Sequence, residues 1–234
     1  MTGPSEPVGP TGPSGPSGGP GSSRSHPVFA RFYAKVAGPA LDRAGAARHR
    51  RRLLAGLTGD VVEIGAGNGL NFAHYPPDVR RVVAVEPEPR LRALAREAAR
   101  TAPVPVEVTA GVAEDLAAPD ASYDAAVVCL TLCSVTDPRA ALSELHRVLR
   151  PGGELRFFEH VRAESPGMRR VQRVLDATIW PLLVGGCHTG RDTRAAITAA
   201  GFSLTSIDTF PFPEARVPSP AATHILGTAV RLPD

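Results

Sequence analysis

The stretch Asp60-Val61-Val62-Glu63-Ile64-Gly65-Ala66-Gly67-Asn68-Gly69 decides how the chain is read. An apolar run that breaks into glycines is a buried strand delivering its backbone to a ligand. Glycines let the chain turn tightly and approach that ligand with no Cβ in the way. The helix N-terminus expected near Leu70 to His74 would offer free N–H groups to anionic oxygens. A dinucleotide fingerprint would need a third glycine at position 70, where Leu70 stands. Glu63 places a carboxylate two residues before the first glycine.

The residues downstream extend the pattern. Arg81-Val82-Val83-Ala84-Val85 ends in Glu86, seventeen residues after Gly69, a strand-end carboxylate placed to accept both hydroxyls of a ribose. Gly111-Val112-Ala113-Glu114-Asp115-Leu116 forms a loop suited to framing a flat base. Strands are expected near 60–64, 81–85, 105–109, 124–130 and 154–160, with helices near 70–74, 88–100 and 138–149. This alternation implies a parallel sheet with right-handed crossovers and a ligand at the strands' carboxyl ends. Pro166 to Leu183 reads as one helix carrying Met168, Val171, Val174, Leu175, Ile179 and Trp180, and Arg191 to Ala200 as another, closed by Gly201. Phe202 to Phe210 and Thr223 to Arg231 read as an antiparallel pair. Upstream, Val28, Phe29, Phe32, Tyr33 and Val36 mark a helix ending before Gly38-Pro39, and a second helix spans about Leu41 to Leu57.

Composition bounds the rest. A chain of 234 residues suits one α/β domain, residues 26–234, preceded by a disordered Gly/Pro/Ser-rich tail over 1–25. A formal charge of +3 argues against a dedicated nucleic-acid binder, so no nucleic-acid partner is expected. The basic run Arg48-His49-Arg50-Arg51-Arg52 reads as the solvated side of a helix. Cys129, Cys133 and Cys187 are too few and too scattered for a disulfide framework or a zinc site, so no metal is expected, and Cys129 reads as a small core hydrophobe. No apolar run approaches the roughly 20 residues that span a bilayer, and the N-terminus lacks a secretory signal. The expectation is a cytoplasmic protein with no transmembrane segment.

The order and spacing of these pieces resemble the class I S-adenosylmethionine (SAM)-dependent methyltransferases, across roughly Asp60 to Val161 and on to the C-terminus. The resemblance implies a three-layer α/β sandwich around a mostly parallel seven-stranded sheet with an antiparallel C-terminal hairpin, and SAM as cofactor. It places Gly65, Ala66, Gly67, Gly69 and Asn71 in the cofactor loop, Glu86 at the ribose, Pro87 among the cofactor contacts, Ala113 and Glu114 beside the adenine, and Leu130 and Thr131 against the cofactor through their backbone. It gives Glu63 the amino end of the methionine moiety; read from the residues alone, Glu63 caps the glycine loop by accepting backbone N–H bonds. Glu114 reads equally as a surface residue. Tyr33, with Phe29 and Phe32, forms an N-terminal helical lid over the cofactor, a spacing that also fits ordinary core packing.

A narrower resemblance rests on Tyr75-Pro76-Pro77, Leu130-Thr131-Leu132-Cys133-Ser134-Val135, Phe158-Glu159-His160-Val161, Trp180, Gly186-Cys187-His188-Thr189-Gly190-Arg191 and His224-Ile225-Leu226-Gly227. Together these resemble the methyltransferase-like thiol S-methyltransferases, whose animal members carry a hydrophobic N-terminal membrane anchor where this chain has its Gly/Pro/Ser tail. The resemblance implies in-line methyl transfer to the sulfur of a small-molecule thiol; an apolar acceptor pocket would suit hydrophobic or heterocyclic thiols, those of secondary metabolism included. His160, at the end of strand five, is the first catalytic candidate and His188, on a glycine-flanked loop, the second; Phe29, Cys133 and Trp180 would line the acceptor pocket. As plain structural residues, His160 would bond a neighbouring carbonyl, His188 would be an ordinary loop residue and Cys133 would pack. O-, N- or C-transfer to a phenol, quinone precursor or phospholipid amine is the alternative on the same fold, and a non-catalytic SAM-binding regulator is the reading outside enzymes.

Overall fold

The computed structural model describes residues 31–213 and 219–233. The expected tail and Phe29 lie outside the described residues, as does the side chain of Tyr33. Seven strands, β1 (Gly59–Ile64), β2 (Val79–Val85), β3 (Val106–Thr109), β4 (Tyr123–Cys129), β5 (Leu149–His160), β6 (Phe202–Pro211) and β7 (Thr223–Arg231), form one sheet in the order β3-β2-β1-β4-β5-β7-β6. β1 pairs in parallel with β2 and β4, and β4 with β5, whereas β7 runs antiparallel to β5 and β6. The chain winds outward from β1 in one direction and from β4 in the other. The crevice for a ligand therefore opens at the carboxyl ends of β1 and β4, where that winding reverses.

Period-two alternation sends neighbouring strand residues into two separate cores. Val62, Ile64, Val128, Leu155 and Phe157 pack on one face with Leu142, Leu145 and Ile197, which lie on α4 (Pro138–Val148) and α7 (Thr193–Ala199). Val61, Val82, Val127 and Phe158 pack on the other with Leu53, Leu54 and Ala95, from α2 (Ala46–Leu54) and α3 (Pro89–Ala99). The helices start where capping chemistry starts them: Glu88 accepts from the N–H groups of Arg90 and Leu91, and Asp137 from those of Arg139 and Ala140, each followed by proline in the first turn.

Several expectations need correction. Residues 31–43 stay helical through Gly38-Pro39: a π-turn over Tyr33–Ala37 leads directly into α1 (Gly38–Arg43), with Pro39 just after the change from π to α winding. The expected helix from Leu41 to Leu57 breaks at Gly45, which sits at φ 106°. The run Arg48 to Arg52 is not a solvated face throughout, because His49 and Arg50 are buried. His49 stacks on Phe210 at 4.6 Å between ring centroids and on Phe158 at 5.3 Å.

The segment read as one helix from Pro166 to Leu183 is two, α5 (Pro166–Asp176) and α6 (Trp180–Leu183), and its apolar positions do not all face inward. Val174 is 63% exposed, and Val171, Ile179, Leu182 and Leu183 are exposed with it. The inward face carries Gln172, 1% exposed, which accepts from the N–H of Ala163 at 2.8 Å and donates to the carbonyls of Thr189 at 3.0 Å and Pro220 at 2.7 Å. One amide thus ties α5 to three loops. Among the described residues no helix is long and apolar enough to cross a membrane.

Replacing Gln172 by Leu strands an N–H and several carbonyls in a dry site, each costing about 1–3 kcal/mol. Urea unfolding should show a loss of about 3 kcal/mol or more for Gln172→Leu, whereas Val174→Ser on the exposed face should stay within about 0.5 kcal/mol of the parent.

Candidate active site

The glycine turn begins where β1 ends. Gly65 donates to the carbonyl of Val85 at 2.8 Å, which closes the loop onto β2. It sits at φ 63°, and a Cβ there would stand 2.3 Å from Thr131 Cγ2, so only glycine lets the turn pass under the loop that follows β4. The expected helix N-terminus at Leu70 to His74 is instead a single 3-10 turn, Phe72–His74. Tyr75-Pro76-Pro77 stops it: a residue before proline disfavours the α region, and proline has no N–H to continue the ladder.

Glu86, directly after β2, faces this turn. One of its oxygens accepts from the Gly67 N–H at 2.8 Å and the other from the Glu88 N–H at 2.9 Å. Each oxygen keeps a second lone pair. Burial pushes the carboxyl above the ordinary range, with the two backbone N–H bonds pulling the other way. A ligand presenting two adjacent hydroxyls would return the hydrogen bonds that burial has removed, so the position fits a ribose. Pro87 follows it. Ala113 is buried, and Glu114 accepts from the N–H groups of Thr136 at 2.8 Å and Asp137 at 3.1 Å, tying its loop to the start of α4.

Glu63 lies beneath the turn. Its oxygens are taken by Asn71 Nδ2 at 2.8 Å and the Tyr75 hydroxyl at 2.7 Å, not by backbone N–H groups. Arg50 reaches into the same floor from α2, donating to Asn71 Oδ1 at 2.8 Å and to Cys129 Sγ at 3.3 Å. Burial raises the Glu63 carboxyl to about 7, against the opposing pull of Tyr75, Asn71 and Arg50. Arg50 was missed in the sequence because it sits inside a run of arginines; its neighbour on the inward face, Leu53, was the available signal.

The loop after β4 is shaped by β5. Glu159 is fully buried and accepts from the N–H groups of Thr131 at 2.7 Å and Leu132 at 3.0 Å with a single oxygen. Leu130 is held at φ 56°, sparsely populated for a residue with a Cβ, and its N–H bonds the Phe158 carbonyl at 2.7 Å. Arg191 braces the loop from outside, donating to the carbonyls of Leu132 and Val135.

The acceptor-pocket and catalytic candidates gather in this corner. His160 closes β5, and its Nε2 lies 3.0 Å from Cys187 Sγ, so its partner is a thiol and not a carbonyl. The Trp180 indole N–H donates to the same sulfur at 3.3 Å. Cys133, Cys187 and His160 are all buried, and their donor atoms lie within 4.8 Å of one another. The two cysteines, set aside as scattered, are therefore neighbours in space. A hydrogen bond with Cys133 and then burial raise the Cys187 thiol far above its ordinary value. Burial alone would lower His160, but Cys187 and nearby acidic groups outweigh it and leave the imidazole raised. His188 shares the corner through its backbone, its N–H donating to the Cys133 carbonyl at 2.9 Å, while its ring Nδ1 lies 2.8 Å from the Gly186 carbonyl.

The family described as "Methyltransferase domain" matches residues 62–157. Thiol S-methyltransferase TMT1B of Rattus norvegicus is 37% identical over 76% of this chain and 74% of its own length. TMT1B of Mus musculus is 39% identical, with the same coverage of 76% and 74%. Among solved structures, a SAM-dependent methyltransferase of Thermotoga maritima, titled a possible histamine N-methyltransferase, superposes with a TM-score of 0.63 at 25% identity, covering 87% of this chain and 98% of that one.

Glu63 gives the floor of the turn a pH dependence of definite sign. Its folded value of about 7 stands above the usual 4.5, so between these values the folded state holds a proton that the unfolded state has released. Stability then falls as pH rises from about 4.5 to 7, by about 3 kcal/mol from this group, and Glu86 and Glu159, also raised by burial, add in the same direction. Denaturant unfolding across this window should show that slope, and Glu63→Gln, which cannot titrate, should flatten it measurably.

Proposed function

Because the chain belongs to the class I SAM-dependent methyltransferases, and aligns over most of its length with thiol S-methyltransferases among them, we propose that its acceptor atom is the sulfur of a small-molecule thiol. SAM is the cofactor, and it supplies the methyl group as an electrophile carried on a sulfonium. Glu86 would hold the ribose, the backbone of Gly65, Ala66, Gly67 and Gly69 would let the cofactor approach β1, and Asn71 with Glu63 would form the floor under its methionine end. Pro87, Ala113 and Glu114 would border the adenine, with Leu130 and Thr131 at the reacting end.

The observation that carries the sulfur reading is the His160–Cys187 contact of 3.0 Å. His160 already meets a sulfur in this corner, and the Trp180 indole N–H donates to the same atom. An acceptor thiol entering beside Cys133 would find the same partners. A free thiol has a pKa of about 8.5, so one hydrogen-bond donor and a nearby positive charge suffice to populate the thiolate. A phenol, near 10, would lean harder on a base. Trp180, His188 and Cys133 would exclude water and orient the acceptor for in-line attack, which is where most of the rate advantage of such a site arises.

Two measurements test this. Protein incubated with methyl-labelled SAM and matched panels of thiols, phenols, amines and lipids should place label on sulfur; label on oxygen, nitrogen or carbon would overturn the acceptor assignment. Glu86→Ala should weaken SAM binding by about tenfold to a hundredfold in calorimetry, the loss of roughly 1.5–3 kcal/mol of charge-assisted hydrogen bonding, while leaving acceptor KM nearly unchanged.

A further inference from the structure

The corner holds more sulfur than packing requires. Cys133 leaves the loop after β4, His160 ends β5, and Cys187 comes from the segment after α6. Three separate elements thus deliver two thiols and one imidazole to a single point, all three side chains buried, with their donor atoms within 4.8 Å of one another. The segments are also locked together, since the His188 N–H bonds the Cys133 carbonyl at 2.9 Å and Arg191 braces Leu132 and Val135. Thiolate and imidazole are the donors preferred by Zn²⁺ and related soft cations, and three protein ligands with one open position is the arrangement of reactive zinc centres, whereas structural ones are closed by four.

We propose that Cys133, His160 and Cys187 form a three-ligand site for a Zn²⁺-class cation, and that its fourth position takes the thiolate of the methyl acceptor. The second half rests on the sulfur reading above; the first does not, and with the cation in place His160 serves it while the cation takes over the stabilisation of the acceptor thiolate. The geometry needs little change. Metal–sulfur bonds of about 2.3 Å and metal–nitrogen bonds of about 2.0–2.1 Å set tetrahedral edges of about 3.6–3.8 Å, so the 3.0 Å His160–Cys187 contact must open slightly. Two thiolates neutralise the cation, and the Arg191 guanidinium, bonded to the carbonyls beside Cys133, stands ready to balance a third. On binding, the acceptor RSH releases its proton to water and replaces a water ligand, since a metal-bound thiol is deprotonated. A lone pair on that sulfur forms the new S–CH₃ bond as the sulfonium S–CH₃ bond breaks. This leaves neutral S-adenosylhomocysteine and a neutral thioether, a weaker ligand that departs. No electron changes hands and the cation stays divalent.

The full-length chain, reduced with a phosphine and stripped of metal, should take up one equivalent of Co²⁺ with sulfur-to-cobalt charge-transfer absorption and the strong visible bands of a tetrahedral centre. Zn²⁺ should displace it. Cys133→Ser and Cys187→Ser should weaken uptake by more than about tenfold and cut the charge-transfer intensity, while Cys129→Ser keeps both. A small alkanethiol should shift the cobalt bands and its methyl thioether should not. Absence of saturable uptake by the parent protein overturns the site outright, whatever the variants do, as does uptake unaffected by both serine exchanges. Bands indifferent to thiols overturn the fourth-ligand assignment. Full-rate thiol methylation by metal-free protein would overturn the fourth-ligand assignment and leave the sulfur acceptor standing; cobalt bound as expected, with label on oxygen or nitrogen, would overturn the acceptor and leave the three protein ligands.

Discussion

One oxygen of Glu159 holds the backbone N–H groups of Thr131 and Leu132, and much of the site depends on that contact. The carboxylate lies wholly inside the protein, at the end of β5, and reaches across to the loop leaving β4. With the loop so fixed, Thr131 presses on Gly65 and sets the height of the glycine turn, Leu130 takes its strained conformation, and Cys133 comes to rest opposite His160. A buried carboxylate is costly, and its raised pKa records that cost. The cost is met where strand ends must become a binding surface, which is where local stability is commonly exchanged for geometry.

Two carboxylates on neighbouring strands divide the cofactor side between them. Glu86 is satisfied by backbone and retains capacity for more donors, whereas Glu63 is enclosed by Asn71, Tyr75 and the nearby Arg50. The first faces the crevice and the second supports its floor. Their shared elevation above the ordinary carboxylate range has one origin, removal from water, though only Glu86 is placed to recover hydrogen bonds from a ligand.

The sheet was legible because its signals are local. Val61-Val62 and Val127-Val128 are buried on both faces, as a parallel strand demands, and glycine, proline and acidic caps mark the turns. The glycine turn and Glu86 were legible for the same reason. What failed depended on tertiary context. Arg50 is chemically identical to its exposed neighbours Arg51 and Arg52, and only the position of Asn71 and Cys129 distinguishes it. Gln172 sits in a helix whose valines suggest the opposite orientation, and only the loops around it reveal which face turns inward. Cys133 and Cys187 are 54 residues apart, far outside the short spacings that announce a ligand pair, and the fold alone brings them together.

The way Gln172 fastens α5 to the body of the protein has a dynamic consequence. The helix offers its valines to solvent, and its polar attachment is concentrated at two side chains: Gln172, and Asp176, which accepts from the Thr189 N–H and hydroxyl and from the Gly190 N–H. Apolar burial resists detachment gradually, over a broad area, whereas a few directional bonds sharing one or two side chains release together. Loss of those bonds would free α5 in one step, ahead of the seven strands, while Cys187 against His160 and the His188 N–H on the Cys133 carbonyl keep the corner closed.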